Sequence, residues 1–237
     1  MNYRLGKLPP VLDTRTLRLK CYLVALPKAP ATCPWYSKAK APWGMMGNQD
    51  YGDCAFAALA HARQLMTAVA TVESSPDERA VVKEYLSYTG GRDSGSVLLD
   101  VLNRTRQRGM AGFTLVAYAA IDVKRQDFRN ALHLLGGAYI GLSLPDRVID
   151  VPDMLKAPWS GTRGDPNPQN GHCVELVGYS AKYAYCVTWG ARKAIEWCFL
   201  ETYCDEAYGL LSPDWFRKGQ SPDHFDMAQL QADLAQI

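Results

Sequence analysis

Residues 47–70 read GNQDYGDCAFAALAHARQLMTAVA, a stretch in which a turn-rich loop is followed by an alanine-rich segment. Its first seven residues are rich in Gly, Asn and Asp, which favour turns. From Cys54 to Ala70 the sequence is dense in residues with high helix propensity. The stretch therefore predicts a buried helix that begins at a cysteine and follows a glycine-containing loop.

Three more helices are predicted downstream. One starts at Ser75-Pro76-Asp77-Glu78, which supplies an N-cap, a proline at the first position and a capping-box glutamate, and it ends at Gly90-Gly91. The other two are expected at about 96–107 and 125–135. Residues 54–137 are thus predicted to be mainly helical.

Short apolar runs separated by turns dominate the second half. The run at 138–144 is a predicted strand, and HCVELVGY and AYCVTWG follow it after a long polar loop. Aromatic segments near 197–199 and 208–211 are interpreted as two further strands. The predicted class is α+β, with a helical N-terminal lobe packed on an antiparallel β lobe.

Four segments are expected along the chain. Residues 1–53 form an extended, Pro-rich lead and the loop before Cys54, and residues 54–137 form the helical lobe. Residues 138–216 form the β lobe. Residues 217–237 form a tail whose last twelve residues have the apolar spacing of a helix.

Composition excludes several classes of function. The 237 residues carry a formal net charge of +2, and no run of Lys and Arg is suited to a phosphate backbone, so we predict no nucleic-acid partner. No segment is long and apolar enough for a secretory signal or a membrane span, which predicts a cytoplasmic protein without a membrane partner. Seven cysteines without a C-x-x-C pair favour buried thiols, and we predict no metal and no cofactor.

Cys54 is the candidate nucleophile. A thiol at the start of a helix is activated by the helix dipole and by a nearby imidazolium. The adjacent Asp53 would oppose this if its charge faced the thiol, but not if it capped the helix. His172 is the candidate base because it opens a strand after a loop, whereas His61 lies roughly 10 Å further along the helix axis and is interpreted as a satisfied buried histidine.

The residues around this pair resemble a known family. The stretch from Gly47 to Cys54 resembles the segment of papain-like cysteine peptidases in which an oxyanion-hole glutamine precedes the nucleophile. Gly171 to Tyr179 is similar to the family's histidine strand, and Val187-Thr188-Trp189-Gly190 to its Asn-Ser-Trp-Gly strand. The resemblance also extends to papain-like proteins of phages and prophages. It implies a papain-like fold and a Cys54–His172 dyad.

Four features depart from the family pattern. Gln49 lies five positions before Cys54, while the family's glutamine position is held by Asn48, so either amide is a candidate oxyanion donor. The family's asparagine aligns with Val187, which leaves Thr188 as the residue expected to orient His172. The gap between Cys54 and His172 is 172 − 54 = 118 residues, shorter than the family's roughly 130 to 150. No inhibitory pro-segment is expected before the lead, which disfavours an ordinary secreted peptidase.

Two functions follow as expectations. The first is a cysteine hydrolase of peptide or amide bonds that uses Cys54, His172, Gln49 or Asn48, and Thr188. The second is a papain-like structural or assembly protein without turnover, with protein partners and a location in a virion. Neighbouring carboxylates Asp205-Glu206 are expected to point to opposite sides of a strand and not to act as a pair.

Overall fold

A computed structural model describes residues 3–21, 29–149 and 155–216 of the chain. The helices within these ranges are α1 (Cys54–Ala70), α2 (Glu78–Thr89), α3 (Leu98–Arg108), α4 (Arg125–Leu135), α5 (Asp146–Ile149) and α6 (Trp197–Tyr203). The strands are β1 (Ala117–Ala120), β2 (Ala138–Ser143), β3 (Gly171–Tyr179), β4 (Tyr183–Thr188), β5 (Ala191–Glu196) and β6 (Cys204–Leu211). No helix in these ranges is long and apolar enough to cross a membrane.

The six strands form one antiparallel sheet in the order β1-β6-β2-β3-β4-β5. Every residue of β2 and of β3 is buried, as expected for strands at the centre of a sheet that is covered by helices. Helix α1 packs mainly against β3, and α4 packs against β2, β3 and β6. The helical part therefore meets the sheet along β3, which confirms the predicted α+β class.

Helix α1 is almost entirely buried, because small alanines let it approach the sheet closely. It begins where the amides of Phe56 and Ala57 donate to the carbonyl of Asp53. At the same end of the helix, the hydroxyl of Tyr139 on β2 donates to the carbonyl of Ala55. The start of α1 is thus fixed directly over the central strands.

The bounds of α1 and α4 match the sequence prediction. Helix α2 begins later than predicted, because Asp77 rather than Ser75 is the N-cap and accepts a hydrogen bond from the amide of Ala80. The segment near 197–199 is the start of helix α6, so the predicted strand there is wrong. Strands β1 and β5 were not predicted, and β1 lies within the range assigned to the helical lobe. The predicted terminal helix falls outside the described residues.

Candidate active site

Cys54 is the first residue of α1 and is 1% exposed. Backbone hydrogen bonds from Cys173 and Gly6 favour its thiolate, but burial outweighs them and raises the pKa of the thiol to about 12. Cys173 directly follows His172 on β3. The thiol therefore lies against the backbone of β3 at Cys173, and it is protonated at neutral pH.

The carboxyl group of Asp53 does not cap helix α1. Asp53 occupies the N-cap position without a side-chain cap hydrogen bond. Burial raises the pKa of its carboxyl group to about 8, with Asn48 acting in the opposite direction. Its charge in turn raises the pKa of Cys54. Of the two roles that the sequence left open, capping is absent, and the carboxyl opposes activation of the thiol only where it is ionised.

The ring of His172 is held on one side by Thr188. Its Nε2 lies 2.7 Å from Oγ1 of Thr188, and the two atoms are within hydrogen-bond distance in a buried setting. Its Nδ1 has no hydrogen-bond partner among the described residues. Burial lowers the pKa of His172 to about 3, so the ring is neutral and one ring nitrogen remains available for another group.

The turn between β4 and β5 places a second group on His172. Trp189 and Gly190 have φ angles of 45° and 71°, the two positive values that a type I′ hairpin turn requires. In this turn the Trp189 ring stacks on the His172 ring, with 4.2 Å between centroids and 12° between planes. The hairpin thus supplies both the hydroxyl and the aromatic cover of the histidine.

The two candidate oxyanion donors differ in their contacts. The side-chain amide of Gln49 donates to Asp50 and Glu78, 3.1 Å away in each case, and contacts neither the thiol nor the histidine. Asn48 is buried, and its Nδ2 donates to the carbonyl of Tyr51 at 3.0 Å and to that of Arg4 at 3.2 Å. Gln49 is therefore directed toward α2, whereas Asn48 joins its own loop to the main chain of the N-terminal segment.

The N-terminal segment, residues 3–8, lies between the loop that precedes α1 and the start of β3, and this space is called the cleft. The amides of Gly6 and Lys7 both donate to the carbonyl of Gly171, at 3.2 and 3.1 Å. On the other side, the amide of Ser96 donates to the Gly6 carbonyl and the amide of Leu8 donates to the Ser96 carbonyl, at 2.8 and 2.9 Å. The segment is an extended chain paired on both of its edges.

Three glycines permit this close approach. A Cβ atom on Gly6 would lie 1.8 Å from the Gly52 carbonyl oxygen, and one on Gly171 would lie 2.1 Å from the Lys7 carbonyl oxygen. A Cβ atom on Gly52 would in turn lie 2.7 Å from the carbonyl oxygen of Leu5. Each value is below any normal contact, so the segment touches the backbone on either side of the thiol.

The carbonyl of Arg4 is the most specifically bound group of the segment. It accepts hydrogen bonds from Nδ2 of Asn48 at 3.2 Å and from Nε1 of Trp189 at 3.1 Å. The ring of Tyr3 packs on Trp189 with centroids 4.9 Å apart. Trp189, which stacks on His172, is therefore also a contact of the segment.

The side chain of Lys7 fills a pocket beside the cleft. Its Nζ lies 2.9 Å from Oδ2 of Asp205 and 3.3 Å from Oε1 of Glu206. The expectation that these neighbouring carboxylates point apart was wrong. The pairing of β2 with β6 shifts register between Gly141 and Leu142, and this bulge turns both carboxylates to the same side.

Sequence reasoning missed the N-terminal segment as part of the site. Its cleft contacts are with residues at least 40 positions away, such as Asn48 and Gly171. No local pattern reports such distant pairing. The only signal in the sequence is the Gly-Lys pair at 6–7, a glycine that permits close backbone approach beside a lysine.

Comparison with known proteins identifies the fold. No family model matches the sequence, and no curated protein matches it. Solved structures do match. Xylellain, a cysteine protease from Xylella fastidiosa, superposes on this chain with a TM-score of 0.66 at 14% sequence identity. The match covers 89% of this chain and 96% of the xylellain chain. The chain therefore has the papain-like α+β fold.

Two precursor structures share the same fold. Digestive procathepsin L 3 of Tenebrio molitor has a TM-score of 0.54 at 13% identity, over 89% of this chain and 75% of its own. The proform of the ragweed cysteine protease Amb a 11 has a TM-score of 0.58 at 13% identity, over 80% of this chain and 69% of its own. At these identities the likeness concerns the fold alone.

Proposed function

We propose that this chain is a papain-like cysteine hydrolase of peptide or amide bonds, with Cys54 as nucleophile and His172 as general base. The observation that carries the proposal is the setting of His172. Its ring is fixed by Thr188 and Trp189, and the next residue on its strand, Cys173, contacts the Cys54 thiol through its backbone.

The free ring nitrogen defines the proton path. In the proposed mechanism His172 is the tautomer that carries its proton on Nε2, next to Thr188, and the unpaired Nδ1 accepts the thiol proton. The sulfur of Cys54 then forms a bond to the substrate carbonyl carbon. The leaving amine takes the proton back from the imidazolium, and water hydrolyses the thioester.

Asn48 is the better candidate for the oxyanion donor. In the described structure its amide already binds a main-chain carbonyl, that of Arg4, whereas the amide of Gln49 is directed at two carboxylates. The amide of Cys54, at the N-terminus of a helix, is a second donor. We therefore assign the role to Asn48 and Cys54, and Gln49 becomes a structural residue of the loop.

The hydrolase is closed in the described conformation. Residues 3–8 exclude water from the thiol, and burial leaves the Cys54 thiol and the His172 ring both neutral. Displacement of the segment rehydrates the pair, which lowers the pKa of the thiol and raises that of the imidazole. Turnover therefore requires the segment to leave the cleft.

Thiol labelling tests the assignment. We expect Lys7→Met, which loosens the segment, to make Cys54 react with iodoacetamide at neutral pH faster than the exposed Cys21 and Cys198, which serve as internal reference thiols. Adding His172→Ala to the same chain should make Cys54 react no faster than these reference thiols. Labelled positions are mapped by mass spectrometry.

Hydrolysis is tested with the same variant. Lys7→Met is incubated with a mixed peptide library, and cleaved bonds are identified by mass spectrometry, with Lys7→Met/Cys54→Ser as the control. Cleavage that depends on Cys54 supports the proposal. Labelling of Cys54 no faster than that of the other buried cysteines, together with no cleavage, rejects it.

The second candidate is a papain-like scaffold without turnover, such as an assembly protein of a virion. The filled cleft and the neutral Cys54 and His172 favour it. In that case the segment is a permanent part of the fold. The scaffold is the conclusion if Cys54 stays unreactive in Lys7→Met while the variant remains folded.

A further inference from the structure

We propose that the pocket holding Lys7 is the recognition pocket of the cleft and that it binds a long basic side chain, lysine or arginine, of a peptide substrate. The inference rests on the proposed function. Its premise is that the N-terminal segment occupies the cleft as a peptide ligand would, so its contacts report what the cleft recognises.

The backbone contacts of the segment are independent of its sequence. Gly171 accepts from two consecutive amides, and Ser96 both donates to and accepts from the residues that flank Lys7. Any extended peptide can form such hydrogen bonds, in the manner of a strand added to a sheet edge. Selectivity must then come from the side chain that leaves this strand into a pocket, and at the centre of the pairing that side chain is Lys7.

The pocket matches a basic side chain in shape and in charge. A Cβ atom on Gly141 would lie 2.2 Å from Cε of Lys7, so the glycine at this position makes room for the aliphatic stem. The ammonium group then meets Asp205 and Glu206 at the end of the pocket. A neutral side chain of the same length would leave both carboxylates without a cation.

Both carboxylates are oriented by groups other than Lys7. The hydroxyl of Ser143 donates to Oδ2 of Asp205 at 2.7 Å, and the hydroxyl of Tyr208 donates to Oε2 of Glu206 at 2.9 Å. These hydrogen bonds do not depend on the segment. The acidic pocket is therefore preorganised and persists when Lys7 leaves it.

A purely structural role explains this arrangement less well. A buried ion pair is seldom more stabilising than an apolar pair of the same volume, since desolvation offsets the Coulomb attraction. The Asp205 side chain also keeps 25% of its surface exposed, so the pocket is open to solvent on one side. Such a site suits reversible binding of a charged group.

The test measures binding without catalysis. A fluorescent peptide with the sequence of residues 3–10, YRLGKLPP, is compared by fluorescence anisotropy with the same peptide carrying norleucine in place of lysine. The protein is the full chain with Lys7→Met and Cys54→Ser. We expect the lysine peptide to bind at least about tenfold more tightly, because only it pairs the carboxylates.

Pocket variants provide the specificity control. Adding Asp205→Asn and Glu206→Gln should bring the two peptides to within about twofold of each other, since no charge remains to be paired. If circular dichroism shows that this double variant is unfolded, Asp205→Asn alone should still reduce the lysine preference at least about threefold. A chain with Lys20→Met instead of Lys7→Met keeps its cleft filled and should bind either peptide at least about tenfold more weakly.

Equal binding of the two peptides to the Lys7→Met chain overturns the inference, and so does the absence of binding by either. Because the assay lacks the nucleophile, these outcomes are independent of turnover. A lysine preference without any hydrolysis by the Cys54 chain would reject the proposed function and leave the recognition pocket in place.

Discussion

Oγ1 of Thr188 lies 2.7 Å from Nε2 of His172, within hydrogen-bond distance. This contact holds the edge of the His172 ring, and the Trp189 ring stacks on its face. The threonine hydroxyl can either donate or accept, so it can pair with Nε2 in the neutral ring and accept from it in the charged ring. In the proposed reaction Thr188 acts through His172 and is a positioning residue.

Replacing Thr188 by valine should slow alkylation of Cys54 about 10²-fold in the Lys7→Met chain, because the ring loses its fixed orientation. The buried Nε2 also loses its partner, at a cost of about 1 to 3 kcal/mol in unfolding free energy. Alkylation kinetics and urea unfolding measure the two effects. Thr188→Ser keeps the hydroxyl and should restore both the alkylation rate and the free energy of unfolding. Equal behaviour of the valine and serine variants would contradict the proposed role of Thr188 in orienting His172.

The pH profile of Cys54 alkylation should differ between closed and open chains. In the unmodified chain the pKa of the thiol is about 12, so the rate should rise about tenfold per pH unit from pH 7 to 10. In Lys7→Met, water and the imidazolium of His172 stabilise the thiolate, and the rate should level off within this range. Identical profiles would show that the segment does not control the thiol.

Asn48→Ala should reduce kcat for a cleaved library peptide by about 10²- to 10³-fold in the Lys7→Met chain, because one oxyanion donor is lost. Gln49→Ala is the matched control, and its kcat should stay within about threefold. Alkylation of Cys54, which forms no oxyanion, should not be slowed in either variant. A larger loss of kcat in Gln49→Ala than in Asn48→Ala would identify Gln49 as the oxyanion donor instead.

Protonation of His61 should contribute to acid sensitivity. Its Nε2 lies 2.9 Å from the Gly44 carbonyl, and burial lowers its pKa from 6.5 to about 4. Between these values the unfolded chain binds the proton and the folded chain does not, so stability falls as the pH falls from 6.5 to about 4. His61→Gln should remove up to about 1.4 kcal/mol per pH unit of this slope, as measured by urea unfolding at several pH values. An unchanged slope would contradict the burial of a neutral ring.

Local sequence patterns correctly predicted helices that are marked by their own residues. Helices α1 and α4 were placed correctly because propensity and a terminal glycine agree. The segment at Trp197 was misassigned because short aromatic runs suit either a strand or a buried helix. Strand β5 carries Arg192 and Lys193 and lacks a clear alternation, so its place in the sheet follows only from pairing with β4.

The candidate site was only partly predictable. Cys54, His172 and Thr188 were predicted from spacing and from the resemblance; the structure pairs His172 with Thr188 and places the Cys54 thiol at the backbone of Cys173. The different contacts of Asn48 and Gln49 follow a turn with positive φ at Met46 and Gly47, which no sequence rule predicts. The pocket around Lys7 depends on a bulge in β6, and bulges have no dependable sequence signature.

The cleft joins residues that are far apart in the chain, and this has a consequence for biosynthesis. The Arg4 carbonyl is bound by Trp189, 185 positions later in the chain. Residues 3–8 are translated before β3 and the β4–β5 hairpin, yet their docking surface exists only after these elements have been made. A newly synthesised molecule must therefore assemble its cleft before that cleft can be occupied, and each molecule passes through a short interval with the thiol uncovered.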